Sequence, residues 1–357
     1  MSTRSDLVLN RLTETAAEQK ATEIYFFPGQ VPFLRIYGQI MPLVKEEILA
    51  LSLIEEITDS LLNPFEKKKL EKERHLIIVK EVGKIGSLEA RFTYEKGQLS
   101  LSFKILSRGL EDLEKAGMPS IVKDFTHLSQ GVVFIVGPRD AGRSTLAASL
   151  LDYINKNQER FIATLEQPIR YKLVAQKSVI EQREVGKDVL SFKDGIAHLE
   201  RRSIDVAMIS SCQEAELIEE LFSLAEAGTL VFTIFNAEST IKTINRIINF
   251  FPAEKKDSIR YLLSANLGGI IATRLVRRIA GTGRVRALEI LPGSAAIRNL
   301  ILENKINQLN GILELGVDGA ISLDRYLADL VSAGEISFEE GLYCSLNKEK
   351  YKSLVRR

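Results

Sequence analysis

Tryptophan is absent from this chain, and its 357 residues include only two cysteines and three histidines. Two lone cysteines, Cys212 and Cys344, exclude a disulfide framework and a cysteine-rich zinc site. His75, His127 and His198 are scattered, which argues against a histidine-based metal centre. An excess of one charge is also missing. The 48 Lys+Arg balance 47 Asp+Glu to a net charge of +1, so nothing favours nucleic acid, whose nonspecific binding feeds on phosphate neutralisation. No apolar run approaches the ~18 residues a membrane span requires. The opening MSTRSDLVLNRLTETAAEQK lacks the apolar core of a targeting segment. These absences predict a soluble, cytoplasmic protein that reaches a membrane only through a partner.

What is present fits an ordinary globular protein, with 45% hydrophobic and 27% charged residues. At roughly 150 residues per domain, the length predicts about two domains. The first 20 residues carry Leu7, Leu9, Leu12, Ala16 and Ala17 at helical spacing. EIYFFPG, LRIYGQI, HLIIVKEVG, EARFTYEKG and LSLSFKIL then read as short strands bounded by Gly or Pro. Between the second and third, a helical pattern breaks at Asn63-Pro64. The expectation is an α+β domain over 1–110, a polar linker over 111–120 and a second domain over 121–357.

The second domain changes character. GVVFIVG, ERFIATLE, IDVAMISS and GTLVFTIF are continuously apolar and alternate with helical stretches, which predicts a doubly wound α/β domain with a buried parallel sheet. From Ile259 onward the chain reads as mostly helical. EAELIEELFSLAEAG is an amphipathic helix, and Cys212 is a packed small hydrophobe rather than a nucleophile.

GVVFIVGPRDAGRST is a strand, a Gly/Pro loop and a helix start, and approximates the phosphate-loop pattern G-x-x-x-x-G-K-[ST]. Gly137, Gly142, Ser144 and Thr145 retain the frame, in which backbone N–H groups hold phosphate and a hydroxyl meets Mg²⁺. Arg143 stands where lysine belongs, keeping the charge without the compact ammonium. Asp140 adds a carboxylate to a loop built for anions. The same segment also reads as a plain strand–turn–helix with no ligand.

Taken in order, GVVFIVGPRDAGRST, LEQPIRY, VIEQREVGKD, FTIFNAESTIKTINRIINFFPAEKK and GSAAIRNLI resemble the PilT-like retraction ATPases of type IV pili, in the type II/IV secretion ATPase superfamily. The resemblance covers almost the whole chain. It implies an N-terminal PAS-like domain, a RecA-like P-loop motor domain, a hexameric ring, and ATP or ADP with Mg²⁺ at the loop.

It also implies residue roles. The Walker A lysine falls on Arg143. The Asp-box glutamate is kept as Glu166, while the following Asp is Gln167. In the Walker B segment Asp205 stands where an Asp is usual, with Mg²⁺ as its expected task alongside Ser144, but the glutamate falls on Ser211. The His-box His and Thr fall on Asn236 and Ala237. The arginines that reach a neighbouring subunit's nucleotide fall on Arg91, Thr93 and Lys104. The AIRNL motif, tied to retraction, is intact at 296–300, making Arg298 and Asn299 the expected interaction residues.

A serine cannot accept a proton from attacking water near neutral pH, and losing one electrostatic donor typically costs roughly 10²–10³ in rate. The sequence therefore predicts hydrolysis that is weak or absent, and nucleotide binding to match. The first reading is a structural or regulatory pseudo-ATPase, in a homo- or hetero-hexamer, working with an active retraction ATPase and the inner-membrane platform protein. The second is a slow retraction motor using Arg143 for phosphate and Glu166 as base. A third is a nucleotide sensor without turnover.

Overall fold

The computed structural model describes residues 4–36, 38–82, 86–106, 109–279, 281 and 283–356. They form two compact units, 1–109 and 110–357.

The first unit opens with α1 (Arg4–Glu18), β1 (Glu23–Phe26), β2 (Phe33–Ile36) and β3 (Gln39–Pro42). It continues with α2 (Leu51–Leu61), α3 (Pro64–Glu73), β4 (His75–Val82), β5 (Gly86–Glu95) and β6 (Gln98–Ile105). The strands make one antiparallel sheet in the order β3-β2-β1-β6-β5-β4. LRIYGQI, expected as one strand, is a hairpin that turns at Gly38 with φ +86°. The break at Asn63-Pro64 is a capping box: the Asn63 side chain takes the N–H groups of Phe65 and Glu66, and Glu66 takes the N–H of Asn63. Leu9, Leu12 and Ala16 of α1 and Ile54 and Ile57 of α2 bury with Ile24, Phe26, Phe92 and Phe103 of the sheet. Leu7 stays exposed.

The second unit begins with α4 (Ser120–Asp124), β7 (Gly131–Val136), α5 (Arg143–Asn157), β8 (Phe161–Glu166), β9 (Val179–Glu184), α6 (Phe192–Glu200) and β10 (Val206–Ile209). It goes on through α7 (Ala215–Glu226), β11 (Leu230–Phe235), α8 (Thr240–Asn249), α9 (Lys256–Asn266), β12 (Leu267–Arg277), β13 (Arg284–Pro292) and α10 (Ala295–Leu302). Four further helices, α11 to α14, occupy Leu309–Leu315, Leu323–Ser332, Phe338–Cys344 and Lys348–Val355.

The seven strands run β13-β12-β7-β11-β10-β8-β9, all parallel except β13. β7 shows why continuous apolar strands belong here. Val132, Phe134 and Val136 feed the core that includes α6, α7 and α9, while Val133 and Ile135 feed the core that includes α5. A strand covered on both faces cannot alternate polar and apolar residues.

Two expectations need correction. The chain after Ile259 is not mainly helical, because LGGIIATRLVR and RVRALEILP extend the sheet as β12 and β13. Residues 111–120 do not run free either. Leu113 and Met118 are buried against the second unit's core, and the Glu111 N–H donates to Ser149 Oγ at 2.9 Å.

Candidate functional site

The loop between β7 and α5 lies at the carboxyl edge of a parallel sheet, where such folds place their ligands. Its path depends on two glycines. Gly137 has φ +149°, and a Cβ there would lie 2.4 Å from the Thr273 carbonyl oxygen. Gly142 has φ +81°, and a Cβ would sit 2.9 Å from Arg286 Nη1. Between them Asp140 adopts φ +60°, a left-handed conformation that short polar residues tolerate best.

Beneath the loop lies a support that the sequence reading missed. Arg286 on β13, 7% exposed, donates to Thr273 Oγ1 at 2.7 Å and to the Gly142 carbonyl at 3.3 Å. Its Nε and Nη2 reach Glu111 Oε2 at 3.0 and 2.7 Å. Thr273 in turn donates to the Ala141 carbonyl at 3.1 Å. The signal in the sequence is an arginine, Arg286, directly beside the apolar Ala287-Leu288 of β13, with Arg284 on the same phase of the strand.

The side chains that would face phosphate and metal are engaged within the protein. Arg143 donates to the Phe235 carbonyl at 3.1 Å and to Asn236 Oδ1, joining the start of α5 to the end of β11. Burial, with Arg170 and Arg139 nearby, holds its guanidinium below the usual arginine range, while Asp140 acts the other way. Ser144 Oγ accepts from Arg170 Nη1 at 2.8 Å. Thr145 Oγ1 and the Tyr171 hydroxyl are 2.9 Å apart.

Glu166 ends β8 and is buried. Its Oε1 accepts from Thr164 Oγ1 at 2.8 Å and Gln182 Nε2 at 3.0 Å, and the backbone N–H of Arg170 also bonds to the carboxylate. Burial outweighs these donors and raises its pKa. Gln167, its side chain exposed, donates its N–H to Ser210 Oγ at 3.1 Å. Ser211 follows β10 at the loop's edge of the sheet.

Asp205 is the expected site residue that lies elsewhere. It precedes β10 at the amino edge, where Oδ2 accepts the Phe161 N–H at 2.7 Å. The strand register puts it level with the start of β7, and six residues of strand at about 3.3 Å each separate that level from Gly137. It joins two strand starts and is not placed with Ser144 for a metal. Among the described residues, no group of three or more His, Cys, Asp and Glu is placed to hold one. With a guanidinium on Ser144, the residues present do not fit Mg²⁺.

The remaining expectations fall on separate surfaces. Arg298 donates to the carbonyls of Ala265 and Leu267 at 3.2 and 2.9 Å, at the end of α9, and its Nε is buried without a partner. Asn299 is exposed and bonds only along its own helix, to Glu303 at 3.0 Å. In the first unit, Arg91 is held by Glu89 at 2.7 Å and Glu23 at 3.3 Å. Thr93 is exposed, and Lys104 stands opposite Glu23 and Glu89 in the sheet register. Cys212 is fully buried, with its thiol pushed up to about 12 by burial, so it is no nucleophile.

A glycine-bent loop leading from an inner strand of a parallel sheet into a helix is the arrangement of a phosphate-loop α/β domain. The family model described as "Type II/IV secretion system protein" matches residues 96–311, more than half of the chain. The chain is 31% identical to the type IV pilus retraction ATPase PilT of Pseudomonas aeruginosa, over 93% of this chain and 96% of that one. It is 31% identical to a twitching motility protein of Neisseria gonorrhoeae, over 89% of this chain and 85% of the relative. A crystal structure of the pilus retraction motor PilT with bound ADP superposes with a TM-score of 0.83, at 31% identity, covering 97% of this chain and 99% of that one. The protein belongs to the type II/IV secretion system family, among its PilT-like pilus motor proteins.

Proposed function

We propose that this chain is a regulatory or structural pseudo-ATPase of a type IV pilus machine, assembling in a homo- or hetero-hexameric ring. It is cytoplasmic and peripheral at the inner membrane through its partners, an active retraction ATPase and the platform protein. Two domains, 1–110 and 121–357, supply the ring contacts. The observation that carries this reading is the bond from Arg143 to Asn236 and the Phe235 carbonyl. The cation needed on a transferring phosphoryl group is instead spent on the end of β11.

The loss of a base agrees with it. Ser211 cannot take a proton, and Glu166 is tied by Thr164, Gln182 and the Arg170 N–H, which fits a structural carboxylate better than a base for water. Nucleotide, where it binds, meets the frame of Gly137, Asp140, Gly142, Arg143, Ser144 and Thr145 and acts as a ligand, not as fuel. A ring subunit of this kind biases an active partner only by binding its conformations unequally.

The test is phosphate release by the purified protein, measured beside an active PilT. We expect none above background, and retraction in the native host that depends on the chain's presence. Magnesium-dependent release at the rate of the active relative, abolished by Glu166→Gln, would replace this reading with the slow motor.

A further inference from the structure

We infer that Glu111 and Arg286 are positioning residues of the phosphate loop, through which the segment joining the two units sets the loop's shape and its hold on a nucleotide. Only the hold on a nucleotide rests on the reading of the loop as a nucleotide site.

The first unit ends at Gly109, and Glu111 is the second residue beyond it. Two contacts fix Glu111 to separate parts of the second unit. Its N–H donates to Ser149 Oγ on α5 at 2.9 Å. Its Oε2 accepts from Arg286 Nε and Nη2 at 3.0 and 2.7 Å. Leu113 and Met118, buried in the core that includes α5, hold down the rest of the segment. The chain is therefore anchored where it enters the second unit, and is no free tether.

From Arg286 the contacts run into the loop backbone. Its Nη1 donates to the Gly142 carbonyl at 3.3 Å and to Thr273 Oγ1 at 2.7 Å, and Thr273 donates in turn to the Ala141 carbonyl at 3.1 Å. The fit is close. A Cβ on Gly142 would lie 2.9 Å from Nη1, so the guanidinium cannot shift towards the loop without moving it. Gly142 is also the residue before α5, the helix that carries Ser149. With Arg286 nearly buried, Glu111 supplies the carboxylate that balances its charge. Removing one partner of such a pair leaves an uncompensated cation, which costs far more than an exposed pair is worth. A pull on the chain at the Gly109–Leu110 boundary reaches Arg286 through this ion pair, and a coupling of this kind acts in both directions.

The experiment is hydrogen exchange read by mass spectrometry on the full-length wild type, Glu111→Ala, Glu111→Gln and Asp112→Ala, first without nucleotide and then with ADP. Asp112 is the control, because its side chain orders the same segment through a local turn, accepting the N–H groups of Glu114 and Lys115 at 3.0 and 3.4 Å. Without nucleotide, the 137–146 amides of Glu111→Ala should exchange about tenfold faster, the size of one charged hydrogen bond. Glu111→Gln keeps an acceptor and should fall between, which covers the case where the alanine variant melts early. Asp112→Ala should match the wild type. With ADP, the wild type should gain protection at 110–118 as well as at the loop, a remote effect that a merely structural bond would not give. Glu111→Ala should lose that remote protection. Unchanged loop exchange in both Glu111 variants, an equal effect of Asp112→Ala, or wild-type protection by ADP at the loop but not at 110–118 would each overturn the assignment. ADP that protects neither stretch would count against the nucleotide reading, and the nucleotide-free comparison then decides the positioning role.

Discussion

Arg143 and Asn236 close the carboxyl edge of the sheet: the first residue of α5 donates to the side-chain oxygen of the residue that follows β11. The bond ties the phosphate loop to the strand end where the family's His box would begin.

Asp140→Gly with Arg143→Lys should raise affinity for ADP by about tenfold. The change removes a carboxylate from an anion loop and gives a compact ammonium in place of a guanidinium spent on β11. A fluorescence titration reads the change directly. Unchanged affinity would show that loop electrostatics do not limit binding.

Gly137→Ala should destabilise the second unit by roughly 2–3 kcal/mol. The added methyl would lie 2.4 Å from a backbone carbonyl, at a φ of +149° that alanine strongly disfavours. The midpoint of urea unfolding measures it. Gly228→Ala is a useful contrast, since its φ is also positive at +100° but nothing lies within 4 Å of the added Cβ. It should cost less.

Glu166 gives a pH signature. Burial raises its pKa in the folded state, so the folded protein holds this proton to higher pH than the unfolded chain does. Its contribution to stability is therefore full below the ordinary carboxylate range and declines as pH rises through the raised value. The amide of Glu166→Gln does not titrate. Whatever constant offset the substitution introduces, the stability difference should move in the variant's favour from acid to neutral pH. Parallel melting curves across that range would exclude the burial argument.

Arg298→Ala should lower stability by about 1–3 kcal/mol, because two carbonyls at the end of α9 lose a charged donor. Asn299→Ala, on the exposed side of the same helix, should leave the melting temperature within error. In a pull-down with pilus components, loss of capture by a fully folded Asn299→Ala protein would mark α10 as a contact surface. Retained capture would assign the AIRNL run to the internal bracing of α9 and α10.

Much of the fold was legible in one dimension. Continuous apolar runs identified the buried parallel strands, and Asn63-Pro64-x-Glu66 fixed a helix boundary through local capping alone. Such signals survive because they depend on neighbours a few residues away. The helical expectation after Ile259 failed for a related reason. The apolar stretch LGGIIATRLVR follows directly on a helical pattern, and periodicity cannot separate a buried strand from a buried helix.

The sequence by itself determined the family, the phosphate-loop frame and the residues at which that frame departs from its pattern. Residue type at a fixed spacing is enough to state where the frame changes. Tertiary structure alone decided what the substituted residues do instead. Arg143 meets Asn236 across 93 positions of chain, and Arg286 meets Glu111 across 175. Asp205, given a metal role by the family resemblance, is carried to the amino edge of the sheet by strand direction. Those outcomes depend on which strands become neighbours, a property of the whole sheet that no local run of residues contains.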